Sequence, residues 1–561
     1  MNIKKYFLLG GTALMLGLSS CVGDLDLEPN DPNQADPNDP NFNANSIAMC
    51  YSGIAVSGIS GSGSSYITGL DAGTSAYLRC TVMLNEYAAD QVFFMWPDAG
   101  VQDLVVMTWG AENSILNGAY YRFLGHIAVC NQFLANTADS ADPEVLEMRA
   151  EARVLRAYSY MNMIDFFGQT SFITEEAAIG EKPRQISRAE GFAFIESELK
   201  DVIDNGIISD SPVYGRVGLD GAEALLARLY LNAEVYSGTA RWKDCQDRCR
   251  NIIARHQGGG FQGSGLANHW MYLFCRDNNE YMPGGANKAE NEILFGIAYD
   301  DTYTQSYGGS TFIINSATAP GTTHYFPSSN YGTSAGWGCF RGRKQLAELF
   351  YGMDGDVRKS MWGTGIYPET NVNGEDWAEE NYSDDIVGFT GDWNSVGGNM
   401  VIKFTGLEKS DAHDGTFKYT PDGSATVNTD FASTDYPIIR LADVYLMYAE
   451  CNVRGGVGNT ADAVKYVNFV RERCNSAPIS AAELTENLIL DERGRELYYE
   501  GIRRTDLVRA GVYVGPRQKV WQFKGSSEDA NGTRVGERMA LYPIPNAVLN
   551  SQPDFKQNPG Y

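Results

Sequence analysis

Apolar residues recur at the three-to-four spacing of an amphipathic helix in several separate stretches of this chain. That spacing predicts helices over 115–134, 145–167, 190–203, 221–236 and 242–256, and again over 438–453, 461–474 and 484–499. Two of these groups read as antiparallel helix pairs. Ala222 to Ala233 is dense in Ala and Leu, and a short Gly break separates it from the helix opening at Trp242. Ile438 to Cys451 is followed by Gly455-Gly456 and then Asp462 to Arg473. Small Ala at close-contact positions, with Leu and Tyr between, is the packing style of tetratricopeptide repeats, although the period is too irregular for a clean solenoid.

Two stretches, 57–110 and 258–434, have another texture: Gly, Ser, Thr, Asn, Tyr and Trp with little helical period. Long loops in a compact protein tend to carry function. The chain therefore reads as mainly α, a tetratricopeptide-like helical-pair scaffold over about 111–256 and 435–510. A loop-rich, ligand-bearing region covers about 57–110 and 258–434, within a single domain over 43–561.

The first residues form an address. Lys4 and Lys5 precede an apolar run from Tyr6 to Leu18, too short to span a bilayer. The segment ends Leu18-Ser-Ser-Cys21, which resembles the bacterial lipobox. That resemblance implies a signal peptide over 1–20, cleavage before Cys21 and lipid on its thiol. Residues 21–42, rich in Asn, Asp and Pro, read as a flexible tether, and their acidic start resembles a surface-export signal. An N-terminal lipid anchors a protein without spanning the membrane.

Composition narrows the function. With 70 acidic against 44 basic residues, the net charge is −26, so a nucleic-acid partner is excluded for want of a basic patch. Nine cysteines follow Cys21, an odd number that cannot all pair with one another. Cys245 and Cys249 lack the tetrad spacing of a zinc site, so buried thiols are expected. There is no H-E-x-x-H or P-loop motif, and His126 and His324 read as structural. Among 70 acidic residues, carboxylate pairs of glycosidase spacing are inevitable and uninformative. Binding has more support. Aromatic rings offer flat partners to the C–H faces of sugars, while Asp, Asn and Arg satisfy the hydroxyls. Trp96 lies in Phe93-Phe-Met-Trp-Pro-Asp98, Trp337 is flanked by glycines, and Tyr307 opens Tyr-Gly-Gly-Ser-Thr.

Longer signatures then appear. Asp435-Tyr-Pro-Ile-Ile-Arg-Leu-Ala-Asp-Val-Tyr-Leu-Met-Tyr-Ala-Glu450, the run from Asp491 to Arg509, Leu541-Tyr-Pro-Ile-Pro545 and the ending Gln557-Asn-Pro-Gly-Tyr561 resemble the SusD/RagB family. So do Arg153 to Ala157 and Phe166-Phe-Gly168. Most of these positions are scaffold, with Arg and Glu expected to bridge helices. The resemblance implies an outer-membrane lipoprotein facing the cell exterior, which captures glycans and sits as a lid on a SusC-like TonB-dependent transporter. It implies no enzymatic activity and no required cofactor.

Within the family, the loops look like those of its starch-binding founding member. The matching segments are Asp71 to Arg79, Asn85 through Trp96, Ser306 to Phe312 and Gly336 to Cys339. Carried over, Trp96, Tyr307 and Trp337 form an arc matching the curve of an α-1,4-glucan, and Asp71 and Arg79 bond its hydroxyls. Phe94 stands where the pattern has a second Trp, keeping the stack but losing an N–H donor. Ala99 stands where it has an Asn. The resemblance also puts structural calcium ligands at Asn279, Ser433 and Asp435, of which only Asp435 is a carboxylate. The expected role is capture of starch or maltooligosaccharides. The alternatives are another glycan or a peptide in the same role, a lid whose aromatics serve only transporter contact, and a glycoside hydrolase.

Overall fold

Every predicted helical stretch contains a helix, and side-chain caps explain where several begin. In this computed structural model, which describes residues 39–178, 180–279, 289–318, 328–353, 355–358, 401–413, 416–417, 429–521 and 532–561, Asn113 accepts hydrogen bonds from the N–H groups of Ile115 and Leu116 to open helix Ser114–Asn136. Asp142 caps Pro143–Phe167, with Pro143 in the first turn, where its missing N–H costs nothing. Ser187 and Glu190 form a reciprocal capping box at Arg188–Asp204. Asn459 caps Thr460–Arg473 and Thr485 caps Glu486–Glu496. Cys21, the 1–20 signal segment, most of the tether and His324 lie outside the described residues.

Three boundaries differ from the periodicity. The stretch 221–236 divides at Asn232 into Leu219–Leu231 and Ala233–Ser237, and the Asn232 side chain donates to the Arg228 carbonyl. Residues 438–440 are not helical. Tyr436–Arg440 is a strand paired antiparallel with Ile293–Ile297, and the helix opens after it, over Leu441–Gly455. Pro437 and the β-branched Ile438 and Ile439 suit a strand better than a helix. The last stretch ends at Glu496, and Tyr499 takes a left-handed φ of 63° before a further helix, Arg503–Arg509. The loop-rich region also holds more helix than expected. Tyr77–Val82 runs on into a π-helical turn, Met83–Tyr87, and Ser310–Ala317 is helical too. All three are buried throughout, so none presents a face to solvent.

Both predicted pairs form. The Leu219 helix packs on the Trp242–His256 helix, that helix on the Leu441 helix, and the Leu441 helix on the Thr460 helix. Residues Met49–Tyr561 make one compact unit. Among the described residues, no helix is long and apolar enough to cross a membrane. The nine cysteines after Cys21 are buried. His126 is structural: its ring bonds Ser159 Oγ at 2.7 Å and the Cys50 carbonyl at 2.8 Å, and burial pushes its pKa down to about 4.

The Arg and Glu residues of the C-terminal signatures do bridge elements, in a buried charge lattice. Glu496 accepts from Arg440 at 3.0 Å, Arg473 at 2.5 Å and Arg358 at 3.1 Å. Arg440 also reaches Glu292 and Glu500, and Arg358 reaches Asp356 and Glu492. Lys403 donates to Glu500 and to the carbonyls of Glu496 and Tyr498, and burial pushes its pKa down to about 8. Arg493 joins Asp443 to Asp506, and Arg509 joins Glu450 to Asp506. Charges this deep are tolerated only when each is paired and hydrogen-bonded. The lattice thereby fixes strand Tyr436–Arg440 and the loop at 403 to the helical scaffold.

Candidate functional site: an aromatic platform beside a buried guanidinium

Strand pairing assembles the platform. Val92–Phe94 pairs antiparallel with Phe340–Gly342, with Phe94 opposite Phe340. In an antiparallel pair, residues just after one strand meet those just before the other. Trp96 follows the first strand and Trp337 precedes the second, and the Met95 N–H donates to the Cys339 carbonyl at 2.8 Å. The two indoles consequently lie 6.1 Å apart, centroid to centroid, tilted by 37° and both half-buried. The Trp337 loop is tied by its own N–H to the Asn315 carbonyl and by the Gly338 N–H to the Thr318 carbonyl. Beneath it, Phe312 lies 6.4 Å from both Trp337 and Phe94.

Phe94 does not present a face to solvent. It is completely buried, stacked 5.0 Å from Tyr87 and meeting Trp96 edge-on at 6.0 Å. The expectation that its ring supplies ligand stacking is corrected accordingly: strand residue 94 points into the core, and its role is to back Trp96.

Beside the indoles lies charge. Arg79, on the Tyr77 helix, is 6% exposed, and its guanidinium sits over the Phe312 ring at 4.5 Å. Its nearest carboxylate is Asp98 at 3.9 Å, beyond hydrogen-bond length, and its Nε has no hydrogen-bond partner. Asp71 is exposed, and its Oδ1 accepts the Thr74 N–H at 3.0 Å. Partial burial works against the Asp71 anion, but the Thr74 hydrogen bonds and the Arg79 charge outweigh it and lower the pKa. For Asp98, burial dominates and raises the pKa, with Arg79 opposing and Asp71 reinforcing.

Tyr307 is 42% exposed, its ring 4.9 Å from Phe431. Glycine holds this end together. A Cβ on Gly73 would lie 3.0 Å from the Tyr307 Cβ and 3.2 Å from Arg79 Nη1, and one on Gly308 would lie 2.2 Å from the Gly73 carbonyl oxygen. Trp96, Trp337, Arg79, Asp71 and Tyr307 are thus brought to one neighbourhood, and Phe94 lies under it. Sequence reasoning passed over Asp98, Phe312 and Phe431. Asp98 stands within the aromatic run already singled out, whereas nothing local marks Phe431. The cleft of about 400 Å³ between residues 210–221 and strand Ile293–Ile297 contains none of these aromatics.

Of the calcium ligands expected at Asn279, Ser433 and Asp435, the last two have oxygens that accept from protein donors. Asp435 is buried; its Oδ1 accepts the Tyr299 N–H at 2.8 Å and its Oδ2 the Tyr214 hydroxyl at 2.7 Å. Ser433 Oγ accepts the Asp301 N–H at 3.0 Å. The Asp435 and Ser433 oxygens thus already accept from protein groups, and burial pushes the Asp435 pKa up to about 6. A calcium site draws on several oxygens with carboxylate charge, and Asp435 is the one carboxylate among these three residues. Among the described residues, no group of three His, Cys, Asp or Glu could hold a metal. A folded pKa above the unfolded value means that ionising Asp435 opposes folding, a penalty that grows as pH rises from about 4 to about 6 and is complete above that. Asp435→Asn is therefore expected to gain melting temperature relative to the wild type as pH is raised from 4 to 7, with no response to calcium in either protein. Calcium-dependent melting of the wild type alone would instead mark Asp435 as a ligand.

Residues 291–561 match the model of the SusD family. The whole chain is 29% identical over 581 aligned positions to the Starch-binding protein SusD of Bacteroides thetaiotaomicron, covering 100% of this chain and 99% of that one. It is 24% identical to the SusD-like protein P38 of Formosa agariphila, covering 88% and 89%. Among solved structures, it resembles the Surface glycan-binding protein A from Bacteroides fluxus with a TM-score of 0.64 at 20% identity, covering 93% and 99%. It also resembles a SusD superfamily protein from Parabacteroides distasonis with a TM-score of 0.65 at 18% identity, covering 92% and 99%. The structural matches support the tetratricopeptide-like helical fold.

Proposed function

We propose that the chain is a SusD-family protein and a non-catalytic receptor at the cell surface that captures starch or maltooligosaccharides. The observation that carries this reading is the Trp96–Trp337 pair, half-exposed and tilted by 37° beside Arg79 and Asp71. A coiled α-glucan turns successive sugar faces through an angle. Two inclined indoles can each meet one face, where two coplanar rings would suit a flat, extended chain. Arg79 and Asp71 then serve hydroxyls at the edge, as donor and acceptor respectively. Tyr307 and Phe431 extend the aromatic surface beyond the charged groups. Contact with an open surface buries modest area, so the affinity belongs in the micromolar to millimolar range, roughly −8 to −4 kcal/mol. The 29% identity to a protein named for starch binding points the same way. Lipid on Cys21 anchors the receptor to the outer membrane facing outward, and a SusC-like TonB-dependent transporter receives the bound glycan.

The test is affinity electrophoresis of residues 22–561 in native gels with and without amylopectin. Retardation in the amylopectin gel is the expected result. Unretarded migration, with retardation in gels holding another polysaccharide, transfers the role to a different glycan. A second reading, a glycoside hydrolase, draws on one observation: Asp71 is held low while burial raises Asp98, the asymmetry of an acid–base carboxylate pair. Against it stands Arg79, whose charge opposes protonation of Asp98. Release of reducing sugar from amylopectin by the purified protein, lost in Asp98→Asn, would establish the hydrolase.

A further inference from the structure

The contact between Arg79 and Asp98 is an incomplete one. A guanidinium–carboxylate hydrogen bond closes to about 2.7–2.9 Å, whereas Arg79 Nη2 stands 3.9 Å from Asp98 Oδ2. The guanidinium is more than nine-tenths buried, and its Nε has no hydrogen-bond partner. It lies over the face of Phe312, which attracts the cation but accepts no hydrogen bond along the plane of the fork. A half-satisfied buried guanidinium is unfavourable, and the 3.9 Å gap at Nη2, beside the partly exposed Asp98, is where a ligand atom can accept from Arg79.

The surroundings decide what kind of atom that is. An isolated, half-satisfied arginine is a general anion site, equally suited to a uronate, a sulfate or a phosphate. Arg79 is not isolated. Asp98 faces it from the loop after the first platform strand, with 43% of its side chain exposed, and Asp71 acts on both of them from the turn before the Tyr77 helix. Two carboxylates thus confront one guanidinium, and an incoming anion meets net negative charge close by. A hydroxyl does not. It can accept from Arg79 and donate to Asp98, completing the bridge that the 3.9 Å gap leaves open.

We infer that Asp98 is a specificity-determining residue, which makes the platform select neutral sugars and refuse anionic ones. The inference rests on the glycan-receptor reading above and adds to it the class of glycan admitted. It assigns Asp98 two functions in one group: closing the hydroxyl bridge for a neutral ligand, and repelling a carboxylate or sulfate that would otherwise take Arg79 for itself.

Two probes and two variants test it. Maltoheptaose and the same heptasaccharide oxidised to the uronic acid at C6 are titrated calorimetrically, at low ionic strength, into the wild type, Asp98→Asn and Asp98→Ala. Asp98 makes no buried side-chain bond that folding depends on, and equal melting temperatures will confirm that all three are folded. The wild type is expected to bind the neutral probe at least about tenfold more tightly than the oxidised one, a preference of the size like-charge contacts give. Asp98→Asn, with a polar side chain of the same shape, is expected to lose severalfold in affinity for the neutral probe and to gain for the oxidised one, so that the preference disappears or inverts. Asp98→Ala should behave likewise for the oxidised probe and bind the neutral one more weakly still. A merely structural role for Asp98 would weaken both probes together. Wild type that binds neither probe overturns the glucan-receptor reading, and this inference with it. Wild type that binds maltoheptaose, with variants that discriminate as strongly as the wild type does, overturns this inference and leaves the receptor reading in place.

Discussion

Trp337→Ala is expected to abolish retardation in amylopectin gels while leaving the melting temperature within a few degrees of wild type. Truncating a central aromatic at a binding surface typically costs about 2 kcal/mol or more, close to a thirtyfold loss of affinity. For a ligand held in the micromolar to millimolar range, that is enough to lose a measurable complex. Trp337 is the position of largest effect because its ring contacts both Trp96 and Phe312, so its loss removes one stacking face and frees the other. The fold should survive, because the Trp337 loop is tied down by main-chain hydrogen bonds to residues 315 and 318 that do not involve the indole. Trp337→Phe, which keeps a smaller ring, should retain part of the retardation. Retardation of Trp337→Ala equal to wild type would place the glycan elsewhere.

Glu496→Ala is expected to destabilise the protein by about 3–5 kcal/mol, the cost of leaving buried cations without their anion. Glu496 accepts from three guanidinium groups, Arg358, Arg440 and Arg473, whose side chains, like its own, have no exposed surface. The readout is the urea midpoint of unfolding, followed by tryptophan fluorescence. Glu496→Gln, which keeps one acceptor but removes the charge, should fall between the two. The sign of the pH dependence follows from the same contacts. Burial disfavours the Glu496 anion, but Arg473, Arg440 and Arg358 together more than offset it, so its pKa is held below the ordinary range. Its contribution to stability is present at neutral pH and is lost as pH falls through that lowered value. The gap between wild type and Glu496→Ala should therefore narrow in acid. A midpoint unchanged by Glu496→Ala at pH 7 would show that the lattice does not carry the stability assigned to it.

The helices were legible where one face was polar and a cap residue stood at the start, as at Asn113, Ser187 and Asn459. They were illegible where every face is buried. Tyr77 to Tyr87 and Ser310–Ala317 have no solvent-facing side to set a period, so they passed for loop. The arginine and glutamate signatures announced bridging but not its partners, because Arg440 meets a Glu292 that stands 148 positions away. Trp96, Trp337 and Tyr307 could be singled out as aromatics in Gly-rich loops. That Trp96 and Trp337 adjoin depends on the pairing of two three-residue strands, too short to leave a pattern. Phe94 shows the converse: its side of the strand decides between core and surface, and the unbroken apolar run Val92 to Trp96 gives no alternation from which to read it.

The charge lattice also bears on how such a protein can change over generations. Its members stand around 292, 356–358, 403, 440, 473 and 492–509, while the platform stands between them or ahead of them. Substitutions among the platform loops leave the lattice intact, and substitutions in the lattice are severely punished. The exposed aromatic face can therefore be redrawn on an unaltered frame, without refounding the architecture.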